Sequence, residues 1–194
     1  VDTFNIMTFA GQTARAFSEP RRANQANIAE GLRFVNAAQA GGGTYLADAV
    51  AAALSPDVEP GRHRYVTFLT DGYVGNEAAI FADARDFVAE LKRKGQRARV
   101  FSIGFGSAVN RYLLEGIASA GQGLATVVSD REAPSTAVNR IFHYVDHPVM
   151  RDIAIDWGDL EVTDVEPGPL PDLFASRPFI VHARYGKPGR GVVR

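Results

Sequence analysis

Tyr65-Val66-Thr67-Phe68-Leu69-Thr70-Asp71-Gly72 decides the fold. Five of these eight residues are β-branched or aromatic, and the run stops at Asp-Gly. The segment therefore predicts a buried strand that delivers one carboxylate to its C-terminal end. Upstream, Gly41-Gly42-Gly43-Thr44 is a glycine loop running into a helix expected over Tyr45–Leu54. In an open parallel α/β sheet, the loops beyond the carboxyl ends of the strands form the ligand crevice. A hydroxyl from Thr44 and a carboxylate from Asp71 arriving there are hard oxygen donors, the kind magnesium takes.

Working outward, the chain alternates strand and helix. Phe4–Phe9 reads as a strand, and Ala14-Arg15-Ala16-Phe17 as a second, edge strand. Ile28, Leu32 and Val35 recur at i, i+4, i+7 and predict a helix over Gln25–Ala38 with that face inward. A long amphipathic helix over Glu77–Lys94 puts Ile80, Phe81, Ala84, Phe87, Val88 and Leu91 on one face, and Gly95 stops it. Val100–Phe105 is an apolar strand, Asn110–Ala120 a helix closed by Gly121, and Leu124–Val128 a further strand. Pro134 opens a last helix through Val138, Ile141, Phe142 and Val145. This order implies βαβ units: a doubly wound, mostly parallel sheet with helices on both faces.

Beyond Pro148 the grammar changes. Asp152–Trp157 alternates with period two, Glu161–Val165 is short, Pro178–Tyr185 is β-rich, and five prolines from Pro148 to Pro178 separate the pieces. The expected division is an α/β domain over residues 1–147 and the start of an all-β module over 148–194. Both ends of the chain read as cut, so a longer parent protein is expected.

Composition narrows the function classes. The 194 residues fit one ordinary domain and a small appendage, and 46% apolar residues supply a core. A formal net charge of −1 carries no electrostatic footprint for nucleic acid or an anionic membrane surface. The absence of cysteine removes disulfides, thiolate zinc sites and a cysteine nucleophile. No apolar run approaches the roughly 18 residues of a membrane span.

Three stretches approach enzymatic patterns. Gly104-Phe105-Gly106 begins like a dinucleotide fingerprint, but Val109 stands where the third glycine belongs, and no acidic residue follows about 20 positions on at a second strand end. The alternative function it offers is a nucleotide-binding α/β enzyme using the Gly104–Gly106 turn, against a plain strand-to-helix turn. His143 and His147 are spaced like a metal pair but run into Pro148, which favours a solvated helix end. Ser119 narrowly misses a hydrolase elbow, since Ile117 replaces the first glycine and a helix replaces the strand. Thr44 and Asp71 have ordinary readings too, as a helix N-cap and a turn residue; their joint placement at one sheet edge is the stronger observation.

The ordered run Phe4-Asn5-Ile6-Met7-Thr8-Phe9, Gly41-Gly42-Gly43-Thr44, Phe68-Leu69-Thr70-Asp71-Gly72, Val100-Phe101-Ser102-Ile103-Gly104-Phe105-Gly106 and Leu113–Gly123 resembles a von Willebrand factor type A domain over about Val1 to His147. The tail from Pro148 to Trp157, with Val165-Glu166-Pro167 and Leu170–Phe174, resembles the segment that follows this domain in inter-alpha-trypsin inhibitor heavy chains and their bacterial relatives. The resemblance implies a metal-ion-dependent adhesion site with Thr44 and Asp71 as second-loop and third-loop members. It implies magnesium or manganese in the complete protein, recognition without turnover, a protein partner offering an acidic side chain, and an extracytoplasmic or cell-surface setting. The family's first loop, Asp-x-Ser-x-Ser, is absent from this chain, so the site is expected to be incomplete in this fragment.

The family's first strand lies between those at Phe4–Phe9 and Tyr65–Thr70. An empty slot would leave unpaired backbone groups costing about 1–3 kcal/mol each when buried. The expected repairs are closure of the two strands, insertion of Phe179–Tyr185, or strand exchange in an intimate homodimer, the last preferred.

Overall fold

A computed structural model of the chain describes residues 2–9, 13–39, 45–70, 74–146, 148–168, 170–174, 178–187 and 189–194. Its centre is a three-stranded parallel sheet in the order β5 (His63–Leu69), β6 (Arg97–Phe105), β7 (Ala125–Val128). The register runs Tyr65 against Arg99 and Leu69 against Ile103, then Ser102 against Ala125 and Phe105 against Val128. The apolar runs that predicted these strands form them, with β5 and β6 starting a few residues earlier than expected.

Side chains alternate across β6, and each face meets different elements. Ala98 and Val100 join the main core with α2 (Leu46–Leu54), α3 (Glu77–Arg93) and α4 (Arg111–Ala120). Val50, Leu54, Ile80, Leu113 and Ile117 are fully buried there, each side chain favouring the folded state by about 1.5–3 kcal/mol. Ile103 faces the other way, packed with Val128, Ala137 and Ile141 of α5 (Pro134–Asp146). Helices thus cover both faces. Gly95 ends α3 as expected: it takes a φ of 71°, and the Gln96 N–H closes back on the Leu91 carbonyl at 2.8 Å.

The N-terminal strand differs from expectation. It is broken into β1 (Thr3–Phe4) and β2 (Met7–Thr8), which pair antiparallel with β4 (Arg21–Arg22) and β3 (Ala14–Arg15). Asn5 makes the break. Its Oδ1 accepts from the N–H of Ile6 and of Phe17, and its Nδ2 donates to the Phe17 carbonyl at 2.8 Å, so a side chain replaces a ladder rung. Helix α1 (Gln25–Ala37) forms where its periodicity places it, but that apolar face is not inward: Ile28, Leu32 and Val35 are exposed. The helix instead lays Gly31 on the hairpin, where a Cβ would come 3.0 Å from Ile6 Cδ1 and 3.2 Å from Phe4 Cε2. On α5, Val138 and Phe142 are likewise exposed.

Neither direct repair of the slot is found among the described residues. β2 pairs with β3, not with β5, and the tail strand β11 (His182–Tyr185) pairs with β9 (Val162–Glu166). The edge of β5 away from β6 has no strand partner among the described residues.

After α5 the chain is all-β, as expected, with a second pair formed by β8 (Pro148–Met150) and β10 (Leu173–Phe174). Asp152–Trp157 is not a ladder strand, contrary to its alternation. Asp152 adopts φ 51° and gives its N–H to Asp172 Oδ1, while Asp156 makes a single reciprocal backbone pair with Arg194. β10 is tied to the sheet by Phe174, 2% exposed, whose ring meets Phe101 edge-on at 5.7 Å.

Candidate functional site

The candidate site lies at the carboxyl ends of β5 and β6, where α2, α3 and α4 begin. Thr44 and Asp71, the two expected metal ligands, lie outside the described residues, as do Gly43 and Gly72. Their described neighbours are informative. The Tyr45 N–H donates to the Phe9 carbonyl at 3.4 Å, and the Phe9 ring packs edge-on against Phe68 at 6.3 Å. Thr70 extends the β5 ladder, its N–H bonding the Ile103 carbonyl at 3.0 Å. The residue after Thr44 is therefore linked to Phe68, two residues before Thr70, through one backbone hydrogen bond and one aromatic contact.

Residues 74–76 lead into α3, whose first residue is pinned. Glu77 accepts from Asn110 Nδ2 at 3.2 Å. Its own backbone N–H lowers its carboxyl pKa most; slight burial works the other way, and the N–H groups of Gly75 and Val74 and the Asn110 amide add to the lowering. Asn110, itself buried, uses its Oδ1 to cap α4 at the Leu113 N–H, 3.0 Å away. One carboxylate and one amide thus link the loop after β5 to the loop after β6. The sequence pattern hid this link, since an acidic residue in a first helical turn and an asparagine cap are each ordinary. Only their meeting in space is informative.

The glycines of the alternative reading have packing roles. A Cβ at Gly104 would fall 2.4 Å from Leu114 Cδ1, so this glycine lets α4 approach β6. Gly106 has φ 97°, and a Cβ there would lie 3.3 Å from Asp130 Oδ1. A carboxylate beside the turn repels a phosphate, the opposite of what nucleotide binding needs.

Of the other candidates, Ser119 lies in α4 with its carbonyl accepting the Gln122 N–H at 3.1 Å. His143 is exposed near the end of α5, and His147 lies outside the described residues. Among the described residues no group of three or more histidine or acidic side chains is placed to hold a metal ion. No described helix is long and apolar enough to cross a membrane.

A charged cluster that the sequence did not announce sits at the opposite end of the sheet. Arg99, buried, donates from Nε to Asp172 Oδ2 at 2.6 Å and from Nη2 to Oδ1 at 3.0 Å, and also contacts Asp152 at 3.3 Å. Burial opposes the Arg99 charge. The hydrogen bonds and charges of Asp172 and Asp152 outweigh it and hold the pKa above its ordinary value. The available signal was an arginine at an inward position of a mostly apolar strand.

Comparison with known proteins adds a lineage to this geometry. A family model described as von Willebrand factor type A domain matches residues 1–127. A von Willebrand factor A domain-containing protein of Dictyostelium discoideum is 30% identical over 186 residues, covering 95% of this chain and 8% of that protein. A mouse protein, von Willebrand factor A domain-containing protein 5B1, is 24% identical over 168 residues, covering 86% of this chain and 13% of its own length. Among solved structures, a von Willebrand factor type A protein from Catenulispora acidiphila superposes with a TM-score of 0.65 at 17% identity, covering 99% of this chain and 47% of that one. Proximal thread matrix protein 1 of the mussel byssus, described with a zinc-occupied MIDAS motif, gives a TM-score of 0.51 at 22% identity over 72% of this chain and 33% of its own. At these identities the structural likeness speaks for the fold. The chain spans a small part of the length of the curated relatives it matches.

Proposed function

This chain belongs to the von Willebrand factor type A domain family, and we propose that it is a recognition module without turnover. It binds a protein partner at the carboxyl edge of its sheet through a divalent cation. Thr44 holds the cation directly and Asp71 holds it through water, which keeps the ion electrophilic towards an acidic side chain of the partner. Magnesium and manganese suit hard oxygen donors of this type. The observation that carries this reading is the Tyr45–Phe9–Phe68 contact, because it brings the start of α2 to the end of β5.

Two protein oxygens are fewer than the six positions magnesium fills, so the affinity of these two alone is weak. Calorimetric titration of magnesium and manganese into the chain and into Asp71→Ala tests the assignment. The expected result is weak binding that the substitution abolishes with the melting temperature little changed. Binding unaltered in Asp71→Ala would leave that residue as a turn former only.

The edge of β5 that lacks a strand partner among the described residues supports a second element of the proposal, strand exchange or another intimate pairing with a second copy of the chain. Light scattering across a dilution series reads it directly. A monomer at every concentration would rule it out.

A further inference from the structure

The chain on either side of Asp71 is anchored twice. Thr70 is held by its ladder bond to the Ile103 carbonyl, and Val74 gives its N–H to the Glu77 carboxylate. Only residues 71–73 lie between these anchors. A span this short transmits any shift of the second anchor back to Asp71.

The second anchor is built from two helices. The Glu77 carboxylate accepts from its own N–H and from those of Gly75 and Val74, and its Oε1 also accepts from Asn110 Nδ2 at 3.2 Å. Neighbouring N–H groups turned towards one point make a cradle for an anion, and here the anion belongs to the chain itself. Asn110, 7% exposed, cannot swing away without uncapping α4, since its Oδ1 holds the Leu113 N–H. The support behind it is firm. Fully buried Ser102 of β6 donates from Oγ to the Leu114 carbonyl at 2.7 Å. Phe81 of α3 meets Tyr112 of α4 edge-on at 5.4 Å, and a Cβ on Gly116 would fall 2.1 Å from Phe81 Cζ. A first-turn acid that served only its own helix dipole would need no partner on the next helix.

We propose that Glu77 and Asn110 are positioning residues for the cation: together they fix the return of the loop that carries Asp71, so its carboxylate is ordered before the ion arrives. This inference rests on the cation reading of that edge. Groups standing behind a metal ligand commonly change affinity by about tenfold or more when altered, although they touch no metal.

Manganese titration of the chain, followed by the electron paramagnetic resonance signal of the free ion, tests the assignment. Glu77→Asp keeps the charge at the start of α3 but is one methylene too short to reach Asn110. Asn110→Asp keeps a capping oxygen for α4 and turns a carboxylate against Glu77. Each is expected to weaken manganese binding about tenfold, with β6 amides still protected from exchange. Glu77→Gln combined with Asn110→Asp exchanges amide and carboxylate across the same contact, and should return the affinity to within about threefold of the parent. Glu77→Asp alters a half-buried side chain, so it carries the test even where Asn110→Asp weakens the cap.

Asp71→Ala, expected to abolish binding, separates this inference from the reading beneath it. If Asp71→Ala abolishes binding while Glu77→Asp and Asn110→Asp bind as the parent does, the positioning role is overturned and the cation reading stands. A lowered melting temperature with unchanged affinity, or a combined variant no better than Asn110→Asp, overturns the role as well. Binding untouched by Asp71→Ala removes the cation reading and this inference with it.

Discussion

β5 and β6 are neighbours in one parallel sheet with similar apolar sequences, yet they occupy different environments. β6 is buried from Ala98 to Gly104, with β5 on one side, β7 on the other and packed side chains on both faces. β5 alternates between exposed and inward positions, of which only Phe68 is fully buried, and its Leu69 is 55% exposed although the same residue type elsewhere fills the core. The exposed faces of α1 and α5, with Leu32 58% and Phe142 66% exposed, extend the contrast to the helices. Apolar spacing states what a segment can bury; burial itself needs a neighbour to supply the other surface.

The contrast can be broken most forcefully at the buried end of β6. Asp172→Ala leaves Arg99 buried without its bidentate partner, and removing one member of such a pair costs about 3–5 kcal/mol. Urea unfolding should show the midpoint falling by a corresponding amount. A loss below about 1 kcal/mol would mean that water already screens the pair.

The strands themselves can be compared through Ile103→Ala and Leu69→Ala. Ile103 is packed between sheet and α5, and its truncation should cost about 2–5 kcal/mol. Truncation of exposed Leu69 should cost about 0.5 kcal/mol. Equal losses in denaturant melts would show that β5 is covered in solution, by a second copy of the chain or another strand.

The smallest effect concerns the link between the loops. The lowered Glu77 pKa means that its stabilisation is present above the unfolded carboxyl value of about 4.3 and is lost as pH falls through the folded value. Glu77→Gln should therefore melt slightly earlier than the parent at pH 7, with the difference vanishing in acid. Amide exchange at Val74 and Gly75 should rise in the variant while β6 stays protected. Unchanged exchange there would reduce Glu77 to an ordinary first-turn acid.

Much of the fold was legible because its signals are local. The run ending at Thr70, the Ile80–Leu91 face and the Gly95 stop each lie within one element, and each formed, although the strand read as buried keeps only Phe68 fully inside. Phe4–Phe9 was read as one strand because Asn5 looks like any polar residue in an alternating run. Its three hydrogen bonds reach Ile6 and Phe17, and the Phe17 contacts bridge twelve residues. Of the candidate site, the residue types and their order were legible, and so was the family. The Glu77–Asn110 and Arg99–Asp172 links were not, since they join residues 33 and 73 positions apart.

The sequence by itself determined the alternation of strands and helices and their boundaries to within a few residues. These depend on backbone preference and on side chains three or four residues away. Tertiary structure alone decided which apolar faces are covered, which strands of the described residues pair and which charges are buried together. Those outcomes depend on surfaces brought together from distant parts of the chain, and a hydrophobic side chain carries no record of what will cover it.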